Sequence, residues 1–389
     1  MVQPILAPRQ ILIGGGSLAR LGALLRQFGL SRPLVVTDPW MLSSGMLERC
    51  LAPLRAEGMA PGVFADTVPD PTDTVVEAGL RALRAGDYDV LLGFGGGSPM
   101  DTAKAIAILA AAPEGTKMRA FKAPVAADHA ALPVICVPTT AGTGSEATRF
   151  TVITDAERDE KMLIAGLGAL PLAAVVDHEL TFSLPPRITA DTGIDSLTHA
   201  LEAFVSRRAN PVSDMYAREA MRLIGPMLRP AYADGTNARA REAMMLGATL
   251  AGLAFSNASV ALVHGMSRPI GAHFHVPHGL SNAMLLPAVT AYSLPAALPR
   301  YAEAARIIGC ADAADADQLA GAKLLEELRA LNRDLAVPSP AAYGIPEERW
   351  NALLPVMAEQ ALASGSPANN PRVPEAAEIV SLYREAYRG

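Results

Sequence analysis

The first half of the chain alternates short β-rich runs with helical patterns, and this alternation restricts the possible folds more than any other feature. QILIG (residues 10–14) precedes LARLGALLRQFG, PLVVTD (33–38) follows, and DVLLGFGGGS leads into MDTAKAIAILAAA (100–112). Such a pattern predicts a parallel sheet covered by helices. Two more strand candidates, PVICVPTT (133–140) and LAAVVD (172–177), precede SLPPRIT (183–189), where the β signal fades. From Asp191 onward the segments are helical, as in SLTHALEAFVS and REAMMLGATLAGLAFS. The expected organisation is an α/β dinucleotide-binding domain over residues 1–185 and an all-α domain over residues 186–389.

Composition narrows the function classes. A chain of 389 residues with 50% hydrophobic content buries a large core, which excludes general disorder. The net charge is −6 and the basic residues are scattered, so no nucleic-acid partner is expected. Cys50, Cys136 and Cys310 form no C-x-x-C pair, which argues against a disulfide framework and for a reducing, cytoplasmic setting. The N-terminal segment lacks a signal-peptide pattern, and the apolar runs are too short or too interrupted to predict a membrane span.

Two loops suit a nucleotide. GFGGGSPMDTAKA (93–105) places glycines between a hydrophobic strand and a helix, where close backbone approach and free helix amides favour a diphosphate. In isolation, a ligand-free turn is an equal reading of GGGS. PTTAGTGSEAT (138–148) follows another strand, and Thr139, Thr140, Thr143 and Ser145 offer hydroxyls to ribose, phosphate or amide groups or, on the other reading, cap a helix. Two such loops in one α/β domain favour the ligand. The glycines at 14–16 read as a tight turn.

In TADTGIDSLTHALEAF, Asp195 and His199 are four residues apart and share one helical face. By themselves they read as a surface pair. Farther on, His264, His273, His275 and His278, four of the seven histidines, fall within one short segment. A carboxylate with imidazoles and no thiolate suits iron or zinc, with a position left for a substrate oxygen.

Together, GGGSPMDTAKA, PTTAGTGSEAT, DTGIDSLTHALEAF and HGMSRPIGAHFHVPHGLSNAMLLP resemble the signatures of the iron-containing alcohol dehydrogenase family, which shares its fold with glycerol dehydrogenase and dehydroquinate synthase. The resemblance implies an NAD-dependent enzyme for a small alcohol or aldehyde, using Fe2+ or alternatively Zn2+, and assembled as a homodimer or larger homo-oligomer. Carried over by motif, it implies Asp195, His199, His264 and His278 as metal ligands, without His273 or His275. It assigns Gly96, Gly97 and Ser98 to the diphosphate turn and Thr139, Thr140 and Thr143 to the second cofactor loop, and it adds Lys161 and Leu180 as cofactor contacts. The expected chemistry is hydride exchange with nicotinamide C4 while the metal polarises the substrate oxygen. The competing readings are a zinc-dependent polyol dehydrogenase and a non-catalytic nucleotide-binding protein; intact metal ligands argue against the second.

Two positions refine the expectation. Where many members read H-x-x-x-H-P, this chain reads His264-Gly-Met-Ser-Arg268-Pro269. An arginine is no ordinary base, so proton movement falls to His275 or a water chain. Arg268 itself is expected either to face the substrate and favour an anionic or strongly polar group, or to bond backbone carbonyls structurally. Asp38 closes PLVVTDP at a strand end, where a carboxylate accepts from the adenosine ribose and repels a 2′-phosphate. The resemblance associates an aspartate here with NAD preference; the other reading is an Asp-Pro turn.

Overall fold

A computed structural model describes residues 4–389. The chain divides into two compact units, residues 6–182, and residues 183–389 together with Pro4 and Ile5. The first carries the strands β1 (Gln10–Ile13), β2 (Pro33–Val36), β3 (Gly62–Phe64), β4 (Val90–Gly95), β5 (Val134–Pro138), β6 (Phe150–Asp155), β7 (Glu160–Ala165) and β8 (Ala173–Val176). Its helices are α1 (Leu21–Gln27), α2 (Pro39–Ser43), α3 (Met46–Ala56), α4 (Asp73–Arg84) and α5 (Gly97–Ala110). Six strands form a parallel sheet in the order β1-β8-β5-β4-β2-β3; the alternating pattern predicts the parallel sheet and five of its strands, and the three-residue edge strand β3 is too short to leave such a signal.

Every residue of β2, β4, β5 and β8 is buried, because helices cover both faces of the sheet. The side chains still alternate between two cores. Leu34, Val36 and Leu91 pack with Val76 and Ile106 of α4 and α5, whereas Val35, Val90 and Leu92 pack with Leu21 and Leu54 of α1 and α3. Gly93 has a specific reason: a Cβ there would lie 2.8 Å from the Met100 Cα, so only glycine lets α5 lie this close to β4.

The hairpin β6–β7 is antiparallel and separate from the main sheet. Sequence reading passes over it, because FTVITD and EKMLIA are short and expose alternate residues rather than forming apolar runs. A buried polar network ties it to α5. Lys104 donates to Ser145 Oγ at 2.9 Å, Phe150 O at 3.0 Å and Thr148 O at 3.1 Å. Asp101, one turn earlier, accepts from Ser145 Oγ at 2.6 Å and from the Val152 amide at 2.8 Å.

The second unit consists of α6 (Pro186–Val205), α7 (Pro211–Ala233), α8 (Ala238–Ala258), α9 (Leu262–Phe274), α10 (His278–Ser293), α11 (Leu298–Ile308), α12 (Asp317–Asp334), α13 (Glu347–Ala363) and α14 (Ala376–Arg388), with short 3-10 turns between some of them. Helix α6 is buried around nearly its whole circumference from Thr189 to Val205, with α7, α8 and α10 packed against it. Among the described residues, no single helix is long and apolar enough to cross a membrane.

The α5 network carries the first prediction. Lys104→Met leaves Asp101 and several carbonyls buried without their cation, and breaking such an arrangement from one side typically costs about 3–5 kcal/mol. Urea unfolding should show a lowered midpoint for this variant. A midpoint equal to that of the wild type would mean that Lys104 does not hold the loop to α5.

Candidate metal centre and cofactor site

Three helices bring one carboxylate and three imidazoles to a common point. Asp195 and His199 lie on α6, four residues apart, and both are buried on the same face. His264 is in the first turn of α9, and His278 begins α10. The Nε2 atoms of His264, His278 and His199 lie 3.5, 3.8 and 3.9 Å from Asp195 Oδ1. Across the set, the potential ligand atoms lie within 4.8 Å of one another.

The donor set fits a divalent first-row ion. Atoms bound to one ion at about 2.1 Å lie no more than about 4.2 Å apart, and all the carboxylate–imidazole separations satisfy this. Electrostatics agree with the geometry. Burial by itself would raise the pKa of Asp195, but the charges of His199 and His278 and the bond to His264 outweigh it and hold the carboxyl well below the usual carboxylate range. Burial would lower the pKa of His264, yet the Glu202 charge and the bonds to Asp195 and Glu202 push it up to about 9. Both shifts describe a pocket that attracts positive charge.

Two further residues complete this centre, and neither was found by sequence reasoning. Glu202 is buried and accepts from His264 Nδ1 at 2.6 Å, from the Val263 amide at 2.6 Å and from the Ala261 amide at 2.9 Å. Its contact directs His264 Nε2 toward Asp195 and fixes the ring orientation. Asn282 Nδ2 lies 2.6 Å from Asp195 Oδ1, 3.1 Å from His264 Nε2 and 3.3 Å from His278 Nε2, where an ion's positive charge would act. Both carried a usable signal: Glu202 is three residues after His199 on the same helix, and Asn282 is four after His278.

The other histidines lie elsewhere. His273 Nε2 bonds to Gln360 Oε1 at 2.9 Å. His275 is exposed and closes α9 in a left-handed conformation with φ 55°. Arg268 is half-buried on α9, one turn beyond His264. Neither His275 nor Arg268 belongs to the four-residue cluster.

In the α/β unit, the predicted cofactor residues gather at the carboxyl ends of neighbouring parallel strands. Asp38 follows β2, Gly96 to Ser98 follow β4, Thr139 to Thr143 follow β5, and Leu180 follows β8. Gly95 has φ +147°, and Gly96 stands immediately before α5, whose first turn has no side-chain cap. Its leading amides are therefore available to an anion. The Thr139 amide donates to Gly95 O at 2.9 Å, and a Cβ on Gly97 would lie 2.9 Å from Thr143 Cγ2, so the two loops lie side by side. Thr139 Oγ1 is buried with no hydrogen-bond partner, a polar atom suited to a bound nucleotide.

The remaining positions have structural roles as well. Asp38 accepts from the Met41 amide at 3.0 Å and caps α2, so the Asp-Pro turn forms. Lys161 on β7 pairs with Asp70 at 2.7 Å, and the Leu180 side chain is buried in the core.

Gly279 yields the second prediction. A Cβ there would lie 2.3 Å from the Asp191 carbonyl oxygen, so α10 can begin beside α6 only with glycine after His278. Gly279→Ala should push α10 away and carry His278 with it, lowering metal affinity at least about tenfold while circular dichroism stays helical. Unchanged affinity by calorimetry would show that this approach does not position His278.

The chain matches the family model described as iron-containing alcohol dehydrogenase over residues 8–178 and the C-terminal model of the Fe-containing alcohol dehydrogenase family over residues 189–387. It is 35% identical over 380 residues to the NAD-dependent methanol dehydrogenase of Bacillus methanolicus, covering 97% of this chain and 98% of that one. It is 34% identical over 375 residues to lactaldehyde reductase of Escherichia coli strain K12, covering 96% and 97%. A solved 1,3-propanediol oxidoreductase superposes with a TM-score of 0.95 at 35% identity, covering 100% of both chains. The chain therefore belongs to the iron-containing alcohol dehydrogenase family, whose members are alcohol and aldehyde oxidoreductases using NAD(H) and a divalent metal.

Proposed function

We propose that this enzyme interconverts a small aldehyde and its alcohol with NAD(H) as the preferred cofactor and Fe2+ held by Asp195, His199, His264 and His278. The observation that carries this reading is the convergence of three imidazole Nε2 atoms on Asp195 Oδ1 at 3.5–3.9 Å. The relatives named above act on methanol, lactaldehyde and 1,3-propanediol by their descriptions, which supports a small substrate.

Bound to the protein, the ion supplies Lewis acidity for the substrate oxygen and NAD(H) exchanges the hydride. The chain's residues prepare both. One carboxylate among three neutral imidazoles would leave half of a dication's charge uncompensated, which favours polarisation of a carbonyl. Glu202 keeps His264 oriented with Nε2 toward the ion. The free amides at the start of α5, with Gly96, Gly97 and Ser98, receive the diphosphate, while Thr139, Thr140 and Thr143 line the neighbouring loop. His275 is exposed, so a part for it in proton movement runs through solvent.

The metal assignment is tested by chelation and add-back. Removing the ion should abolish NADH-dependent aldehyde reduction, and Fe2+ should restore more activity than Zn2+; restoration by zinc and not iron would overturn the choice of ion. Asp195→Ala, His199→Ala, His264→Ala and His278→Ala should each lose bound metal and most turnover, whereas His273→Ala should keep its metal. Full metal content and normal turnover in any two of the four would overturn the ligand set.

Cofactor preference is assigned to Asp38 at the end of β2. Because Asp38 also caps α2, the replacement should be glycine, which costs only a few tenths of a kcal/mol at such a position. Asp38→Gly should shift the ratio of kcat/KM values toward NADP(H) by at least about tenfold, roughly 1.4 kcal/mol. A wild-type preference for NADPH would overturn the role of Asp38.

A further inference from the structure

Among the described residues, Arg268 is the half-buried guanidinium of the helical unit that makes no hydrogen bond or ion pair. It lies four residues after His264 on α9, so its side chain leaves the same helical face as a proposed metal ligand, about one turn or 5.4 Å along the axis. It makes no hydrogen bond or ion pair with any described residue. The other half-buried arginines of the helical unit are treated differently. Arg187 reaches Asp191 and two carbonyls, Arg218 reaches Glu303 and Asp214, Arg229 reaches Glu327 and Asp334, Arg300 reaches Asp214 and Phe204 O, and Arg306 reaches Asp317 and Asp315 O. The reading of Arg268 as a structural residue bonded to carbonyls therefore finds no carbonyl.

The charge that acts on it is that of Glu202, whose oxygens are already engaged by His264 and the Ala261 and Val263 amides. Burial pushes the guanidinium pKa down, but from so high a starting value that the group remains a cation at neutral pH. A partly desolvated cation without a partner is costly unless an anion arrives from outside. The ligand that the proposed reaction brings to the metal cluster is the substrate.

We propose that Arg268 is a specificity-determining residue that pairs with an anionic group carried a few bonds from the reacting carbonyl, so that the preferred substrates are short aldehydes bearing a carboxylate, sulfonate or phosphonate. This rests on the alcohol dehydrogenase reading above and names its substrate class. In the reducing direction, the carbonyl carbon accepts a hydride from NADH and the oxygen a proton from solvent, giving the alcohol and NAD+. The anionic group is unchanged and contributes binding only. Because Arg268 is about one helical turn from His264, a chain of about two to four carbons brings both ends of the substrate into register.

The test compares 4-oxobutanoate with butanal, which match in chain length and differ in charge, on metal-loaded protein. The wild type should show the higher kcat/KM for 4-oxobutanoate. Arg268→Gln should raise KM for 4-oxobutanoate at least about tenfold more than KM for butanal, with metal content and thermal midpoint close to wild type. Arg268→Lys should recover part of the difference, because the charge remains while the bidentate fork is lost. Calorimetric binding of 4-hydroxybutanoate should weaken in Arg268→Gln in the same proportion. A wild type that reduces butanal but favours 4-oxobutanoate no more would overturn the anion proposal and leave the dehydrogenase reading standing, as would equal effects of Arg268→Gln on both aldehydes. Metal-loaded wild type that reduces neither aldehyde would overturn both.

Discussion

A carboxylate only 2% exposed, in the middle of a helix buried on all sides, is the constraint on which the helical unit depends. An isolated charge in such a place costs several kcal/mol, so Asp195 has to be answered by positive charge or by hydrogen bonds. His199 answers from its own helix, His264 from α9 and His278 from α10. The packing of those helices follows. Gly279 lets α10 approach the Asp191 carbonyl, and Glu202, farther along α6, receives the first amides of α9 together with the His264 ring. One helix thus carries both the carboxylate of the candidate metal cluster and the carboxylate that orients His264 from another helix.

The α/β unit solves a different problem with different means. A dinucleotide brings its own negative charge, and here the chain offers uncapped backbone amides and hydroxyls rather than a row of cations. Precision then depends on holding two loops still. Buried Lys104 and Asp101 do this from inside α5, joining the helix to Ser145, Thr148 and the β6 strand beneath the second loop. Glycine at 93 sets the distance between β4 and α5, and glycine at 95 turns the chain into the helix. The same residues that stabilise the unit therefore also shape the loop proposed to receive a diphosphate.

The half-buried arginines of the helical unit are otherwise paired within the protein, which gives Arg268 its meaning. In Arg187, Arg229, Arg300 and Arg306 the guanidinium closes a contact between elements. Arg268 closes none with the described residues, although it stands on the helix that supplies a ligand to the metal cluster. Among the described half-buried arginines of the helical unit, Arg268 is the one left open, which is why its partner is sought in a ligand.

The sequence by itself determined the local order of events: the five apolar runs that become β1, β2, β4, β5 and β8, where helices replace them, and where glycine and hydroxyl residues interrupt the alternation. Those properties follow from periodicity and backbone preference, which act over a few residues. The four-residue spacing of Asp195 and His199 was legible for the same reason, and helix α6 does place both on one face. The hairpin β6–β7 was not legible, because its strands gain stability from α5 and from each other rather than from a strong pattern of their own. Which of the clustered histidines meet the α6 pair could not be read from spacing. His264, His273, His275 and His278 are neighbours in sequence, yet a helix end and a left-handed residue at His275 send them to different places. The partners Glu202 and Asn282 and the open charge of Arg268 were decided only by tertiary packing, since whether a buried polar group is satisfied depends on atoms brought from distant parts of the chain.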